Sequence, residues 1–267
     1  MKPSLLILFI ISSSLFSQSK IVIKGSDTLG AKMIPKLAEA YQNKFPSTKF
    51  EIAAEGSSTG IAAIIDNTAD VGMSSRELKG KEKASAGANG VFLFKTVVAS
   101  DAVAIIINED NPLNSLTSKE VERIFTGDVS NWSSVGGPSG KISVYTRNTS
   151  SGTYAFFQKV ALSSRDYGSS SQKLAGNEQI ATEVAKNKYG IGYVGLAYLK
   201  AKGIKAVKLN GFFPSNDSVN SNDYKLSRGL NCFTNGKPSG ITKKFLEFSL
   251  SLEGQEIVES TGFVKIR

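Results

Sequence analysis

The chain has 267 residues, with 32 Lys and Arg against 23 Asp and Glu for a formal charge of +9. It has no histidine and a single cysteine, Cys232, which excludes Ser-His-Asp and Cys-His catalysis, imidazole-based zinc or iron sites, an internal disulfide and a thiolate cluster. The lysines are scattered, as in Lys79, Lys81 and Lys83 or Lys200, Lys202, Lys205 and Lys208, and lack interleaved aromatics, so solvated faces account for them better than a nucleic-acid patch.

Residues 1–19 read as a secretory signal: Lys2 supplies the charged start, Leu5 to Ile11 the apolar centre and Ser12 to Ser19 a small-residue exit. The apolar run is too short to span a bilayer. Cleavage near Ser17 or Ser19 removes Lys2 and leaves +8, and no cysteine follows to carry a lipid anchor. The mature chain is expected to be soluble and exported.

Periodicity then alternates strands and helices. Strands are expected at 20–24, 49–54, 69–73, 91–98, 102–108, 142–146, 190–194 and 224–233, and helices at 28–44, 59–67, 117–125, 152–162, 177–187 and 240–260. This is an α/β pattern, and about 250 mature residues exceed one ordinary core, so two lobes are expected. The β-rich stretch 91–108 is too long for one ordinary strand and suits a crossing between lobes. Residues 215–223 are polar and irregular, and Tyr224 to Arg228 offers a crossing back.

Three segments share one design. Gly25-Ser-Asp-Thr-Leu29 follows the apolar Ile21-Val-Ile23 and precedes a helical period at Leu29, Met33, Leu37 and Tyr41. Gly56-Ser-Ser-Thr-Gly60 lies between an expected strand and Ile61 to Ile65. Arg147-Asn-Thr-Ser-Ser-Gly-Thr153 runs into Tyr154, Phe156, Phe157 and Val160. Each places hydroxyls and unpaired first-turn amides at a helix start, where an oxyanion is favoured, and Arg147 adds a planar fork of donors. Ordinary helix capping explains any one of them alone. Other features read more plainly: Trp132 and Tyr193 as packing, Cys232 as a small apolar residue, and Gly136 to Lys141 as a turn rather than a phosphate loop.

The ordered set Gly25 to Leu29, Glu55 to Ile61, Ala69-Asp-Val-Gly-Met-Ser-Ser-Arg-Glu-Leu78, Leu116 to Glu120, Ile124 to Gly127, Asn131-Trp132, Arg147 to Thr153, Gly190-Ile-Gly-Tyr193 and Tyr224-Lys-Leu-Ser-Arg228 resembles the phosphate-binding proteins (PstS-like) of bacterial phosphate ABC importers. The resemblance spans nearly the whole mature chain. It implies an α/β fold of periplasmic-binding-protein type II, with two lobes joined by two crossing strands: residues 20–98 and 224–267 in lobe 1, 99–223 in lobe 2. It implies capture of inorganic phosphate and delivery to the transmembrane subunits of an ABC permease, by a monomer with no enzymatic activity, cofactor, metal, nucleic acid or inserted membrane segment.

Position by position, the resemblance assigns Thr28, the Leu29 N–H and Ser57 as ligands from one lobe. Ser151, Gly152 and Thr153 come from the other, with Arg147 as the charged clamp. Ser75 falls where some members place a ligand-binding aspartate, and Arg76 beside it would add a donor. For a surviving acid acceptor Asp101 comes first and Asp27 second, against plain readings as a hinge carboxylate and a first-turn helix stabiliser. Alternatives are another tetrahedral oxyanion such as sulfate, molybdate or tungstate, a surface protein that keeps the fold without transport, or an exported serine hydrolase or phosphatase using Ser170-Ser-Gln-Lys173.

Overall fold

The computed structural model describes residues 19–266, so the expected secretory segment lies outside the described residues except for Ser19. In chain order the elements are β1 (Ser19–Gly25), α1 (Asp27–Gly30), α2 (Met33–Lys44), β2 (Thr48–Ala53), α3 (Ser57–Ile65), β3 (Val71–Ser74), α4 (Gly80–Ala88) and β4 (Leu93–Asn108). Then follow β5 (Ser115–Leu116), α5 (Ser118–Thr126), β6 (Ser143–Arg147), α6 (Gly152–Val160), β7 (Gln172–Leu174), α7 (Asn177–Lys186), β8 (Gly190–Gly195), β9 (Ile204–Ala206) and β10 (Lys208–Leu209). Last come α8 (Asn216–Asn220), β11 (Ser227–Asn235), α9 (Gly240–Leu250) and α10 (Leu252–Ser260), with short 3₁₀ turns at Trp132–Val135 and Leu196–Tyr198.

The main sheet runs β2-β1-β3-β11-β4-β8-β6-β7, with β9 also against β4. Strand β1 is parallel to β2 and β3, β11 is antiparallel to β3 and β4, and β8 is antiparallel to β4 and parallel to β6. Strand β4 is unbroken over 16 residues. Its first part pairs with β11, from Leu93 opposite Asn235 to Ala102 opposite Ser227, and its second part pairs with β8 from Val103 to Ile107. One strand therefore serves both halves of the sheet, where separate strands at 91–98 and 102–108 were expected, because its ladder passes without a break from β11 to β8. The chain returns alongside it, where the Val103 N–H donates to the Leu226 carbonyl at 2.9 Å and the Tyr224 hydroxyl donates to the Val103 carbonyl at 3.2 Å. Two α/β halves joined at β4 and β11 result. For their boundaries we propose those expected from sequence, between 98 and 99 and between 223 and 224.

Two apolar clusters fill the structure. One joins Ile21 and Ile23 of β1, Met33, Leu37 and Tyr41 of α2 and Phe245 of α9, and continues to Ile180 and Val184 of α7. The other packs Val121, Ile124 and Phe125 of α5 and Phe157 of α6 against Ile105, Ile107 and Tyr193. Trp132 and Cys232 are both fully buried, as packing residues should be, and burial pushes the Cys232 thiol up to about 12.

Two expected helices are each divided. The helix expected at 28–44 breaks at Ala31–Lys32, because a continuous helix would direct the Pro35 ring into the Ala31 carbonyl and Pro35 has no N–H to bond it. The helix expected at 240–260 breaks at Ser251, whose backbone is extended (ψ 166°) and whose hydroxyl caps α10 by accepting from the Gly254 N–H.

Candidate functional site

The three glycine and hydroxyl turns each end at a helix start: β1 leads into α1, Gly56 into α3, and β6 with its following turn into α6. First-turn amides have no intrahelical acceptor. Those of Leu29, Ser57, Gly152 and Thr153 take no backbone acceptor elsewhere among the described residues either.

The turns meet at one point. Thr28 Oγ1 lies 3.1 Å from Thr153 Oγ1, and Ser75 Oγ lies 3.4 Å from Ser57 Oγ and 3.5 Å from Thr153 Oγ1. The Ser75 N–H donates to Ser57 Oγ at 3.1 Å. Gly152 passes so close that a Cβ there would stand 2.2 Å from Ser57 Oγ and 2.7 Å from Ser75 Oγ. Thr28, Ser57, Ser75 and Thr153 are all fully buried. Residues 125 positions apart, one from each half, thus contribute to a single cluster of hydroxyls and amides.

Two buried arginines flank it, each backed by a carboxylate. Arg147 is held by the Ala175 carbonyl, which accepts from Nε at 3.0 Å and from Nη2 at 2.7 Å, while its Nη1 stands 3.1 Å from Asp27 Oδ2. The same Asp27 oxygen accepts from the Asn177 N–H at 3.1 Å and from Nδ2 at 2.7 Å. Arg228 donates from Nη1 to Thr153 Oγ1 and to the Ser75 carbonyl, both at 3.0 Å, and from Nη2 to Asp101 Oδ2 at 2.9 Å. The Leu196 N–H holds the other Asp101 oxygen at 3.0 Å. Burial pushes the Asp101 carboxyl up against the pull of Arg228, and the same burial pushes Arg228 down.

Tyr193 does more than pack. Its ring stacks on Phe157 at 4.2 Å between centroids, and its hydroxyl accepts from the Arg147 N–H at 3.2 Å while contacting Thr146 Oγ1 at 2.6 Å. It also lies 3.1 Å from the Tyr167 hydroxyl, which donates to the Tyr154 carbonyl in the first turn of α6. The end of β6 and the start of α6 are thereby fixed to one another.

Arg76 does not join the cluster. Its guanidinium turns to Glu82, with Nη1 to Oε2 at 2.8 Å and Nη2 to Oε1 at 2.6 Å, and Nη2 also reaches Ser58 Oγ at 3.1 Å. Glu82 further accepts from the Lys79 N–H at 2.8 Å, which anchors α4 to the end of β3. Burial raises the Glu82 carboxyl, but Arg76 and the Lys79 N–H outweigh it and hold the group below the ordinary glutamate value. A carboxyl held low in the fold stabilises above its unfolded value and loses that contribution as pH falls through its folded value. Glu82→Gln should therefore cost about 2–4 kcal/mol at pH 7 and narrow the stability difference from the parent below pH 4, measured by denaturant unfolding across pH.

Ser151 is buried, and its Oγ accepts from the Tyr154 N–H at 3.3 Å, so it is a helix cap whose own proton remains available to donate. Asp101 and Asp27 both face arginines rather than the hydroxyl cluster, because burying either guanidinium without a counter-charge is prohibitive. Ser170 and Lys173 are exposed, Lys173 on the edge strand β7, and share no buried contact. Arg228 is the residue that sequence reasoning passed over. Its only signal was its place at the end of Tyr224 to Arg228, which reads as a crossing.

The halves also touch around the cluster. The Ser58 N–H donates to the Ser150 carbonyl at 3.1 Å, Ser150 Oγ donates to the Glu55 carbonyl at 3.1 Å, and Lys32 Nζ reaches the Ala197 carbonyl at 2.9 Å. Gly56, at φ +148°, admits this approach, since a Cβ there would lie 2.5 Å from Ser150 Oγ.

A family model described as a PBP superfamily domain matches residues 12–253. The chain is 30% identical to the phosphate-binding protein PstS of Borreliella burgdorferi, with 100% of both chains covered, and 32% identical to PstS of Pseudomonas aeruginosa, with 91% of this chain and 81% of that one covered. Among solved structures, a substrate-binding protein from Clostridium perfringens with bound phosphate superposes with a TM-score of 0.86 at 32% identity, covering 93% of this chain and 100% of that one. An ABC-type phosphate transport receptor from Vibrio cholerae superposes with a TM-score of 0.77 at 28% identity, covering 91% and 99%. With its paired α/β halves and three turns meeting between them, the chain belongs to the PBP superfamily, in the family of the PstS phosphate-binding proteins.

Proposed function

We propose that this protein captures inorganic phosphate between its two lobes, outside the cytoplasmic membrane, and delivers it to an ABC permease. The observation that carries the proposal is the meeting of Thr28, Ser57, Ser75, Gly152 and Thr153, from both halves, at one buried point. Amide and hydroxyl dipoles there stabilise a dehydrated tetrahedral anion by hydrogen bonding. The two arginines add donors without a large net charge, since each is matched by an aspartate. The phosphate-binding names and bound phosphate of the relatives above support the same ligand. In this reading residues 1–19 direct export and the mature protein is a soluble monomer. No helix of the described residues is long and apolar enough to cross a membrane.

The cluster has no general base: its carboxylates serve arginines, and the chain has no histidine. Binding without turnover is the function that fits. Ser57→Ala and Arg147→Ala should each weaken phosphate binding at least tenfold in calorimetry, as loss of one hydrogen bond to a charged group is worth about 1.5–3 kcal/mol. Parent-like affinity in both variants would remove the site from this reading. A thermal-shift series with phosphate, arsenate, sulfate, molybdate and tungstate tests the ligand itself, because selective binding to the folded state raises the midpoint with concentration.

A further inference from the structure

We infer that one rim of the cluster, where Ser150 of one half meets Gly56 and Ser58 of the other, is the gate through which the anion enters and leaves. The inference rests on the phosphate-binding reading above. Thr28, Ser57, Ser75 and Thr153 are fully buried, so a contact between the halves has to part before an anion reaches them.

The contacts around the cluster differ in kind. On the side of the linking strands Arg228 binds Thr153, the Ser75 carbonyl and Asp101, and the chain itself joins the halves. At a second rim the Lys32 ammonium reaches the Ala197 carbonyl at 2.9 Å and stands 4.1 Å from the centre of the Tyr198 ring. Ala197 and Tyr198 there share an apolar cluster with Met33 and Phe263. Asp27, just before Lys32 in the chain, ties the same segment to Asn177 and Arg147. Charge and apolar burial hold these places together.

Among the described residues the Ser150 rim has neither. Its bonds are neutral: the Ser58 N–H to the Ser150 carbonyl and the Ser150 hydroxyl to the Glu55 carbonyl, both at 3.1 Å. Both are replaceable on opening. Ser58 lies in the first turn of α3, so its N–H has no intrahelical acceptor and water can take its place. Asn148 Oδ1, 2.7 Å from the Ser150 hydroxyl and in the same half, can accept that proton instead. Gly56 brings no side chain to the contact, and Glu55 and Thr149 beside it are exposed. Contacts with little apolar area and ready access to water are the first to open.

A groove of about 990 Å³ lies against this rim and is lined by both halves, with Ser58, Lys79 and Lys81 on one side and Ser150, Tyr154 and Lys159 on the other. Its one carboxylate among the described residues, Glu77, is taken by Lys95 at 3.0 Å. The mouth is therefore positive, which raises the arrival rate of anions.

The test joins the rims in turn. Glu55→Cys with Thr149→Cys, both exposed positions, is loaded with radiolabelled phosphate and closed with a short thiol-to-thiol linker, while Cys232 stays fully buried. Release should be slower from the linked than from the unlinked protein by about 100-fold or more, because opening precedes exit. The same linker between Lys32→Cys and Lys200→Cys, which line the pocket at the second rim, should change release by no more than about threefold. Lys81→Gln with Lys159→Gln should slow phosphate association by about threefold or more at low salt, with release unchanged and the difference gone at high salt. Equal release from linked and unlinked Glu55→Cys, Thr149→Cys protein would overturn the gate, and so would equal slowing by the two links. Unchanged association in the lysine variant would overturn the groove as the route. Failure of the parent protein to bind phosphate at all would overturn the reading on which the inference rests.

Discussion

Gly152→Ala is expected to weaken phosphate binding by about 100-fold or more, the order of loss that ångström-scale displacement of positioned groups brings. The added methyl would stand 2.2 Å from Ser57 Oγ, 2.9 Å from Ser57 Cβ and 2.7 Å from Ser75 Oγ, distances no packed carbon tolerates. Those atoms belong to the opposite half, so the clash is relieved by parting the halves and not by a local shift of α6. Alanine itself suits the first turn of a helix, so the helix should survive. The informative control is Gly87→Ala on the exposed face of α4, where nothing lies within 4 Å of the new methyl. That variant should bind as the parent does. Parent-like phosphate affinity in Gly152→Ala, by calorimetry, would mean that the anion is held elsewhere.

Asp101→Ala should destabilise the protein by about 3–5 kcal/mol, because it leaves the Arg228 guanidinium buried without its counter-charge. Such a loss is a large fraction of the stability of an ordinary domain. Arg228 is 8% exposed and Asp101 is not exposed at all, so water cannot replace the missing partner. The double variant Asp101→Ala with Arg228→Met removes both charges and should recover much of the loss while phosphate affinity remains low, since Arg228 also orients Thr153. Denaturant unfolding of Asp101→Ala, Arg228→Met and the double variant measures the coupling. A single Asp101→Ala within 1 kcal/mol of the parent would contradict the account of this pair.

The fold and much of the candidate site could be read from sequence because their signals are local. A short apolar strand, a glycine with hydroxyls and a helical period are contiguous at Thr28, Ser57 and Thr153, and hydrogen-bond requirements at helix starts follow directly. Arg228 could not be read in this way. Its role depends on the pairing of β11 with β4, which sets it opposite Asp101, 127 residues away. The pairing of Arg76 with Glu82 was hidden for a related reason. Its partner Glu82 lies on α4, whose sequence GKEKASAGA has almost no apolar period, so neither the helix nor the ion pair was visible. The division of the first long helix was available in principle, since Pro35 forbids continuity through Ala31.

Arg228 and Asp101 are also register partners on the two strands that link the halves. The strands that link the halves therefore also orient one of the arginines beside the cluster. Any swing of one half against the other reorients that guanidinium relative to Thr153 as it separates Thr28 from Thr153. If phosphate is held at this cluster, as proposed, parting the halves would dismantle the hydroxyl cluster and the Arg228–Thr153 contact in one movement.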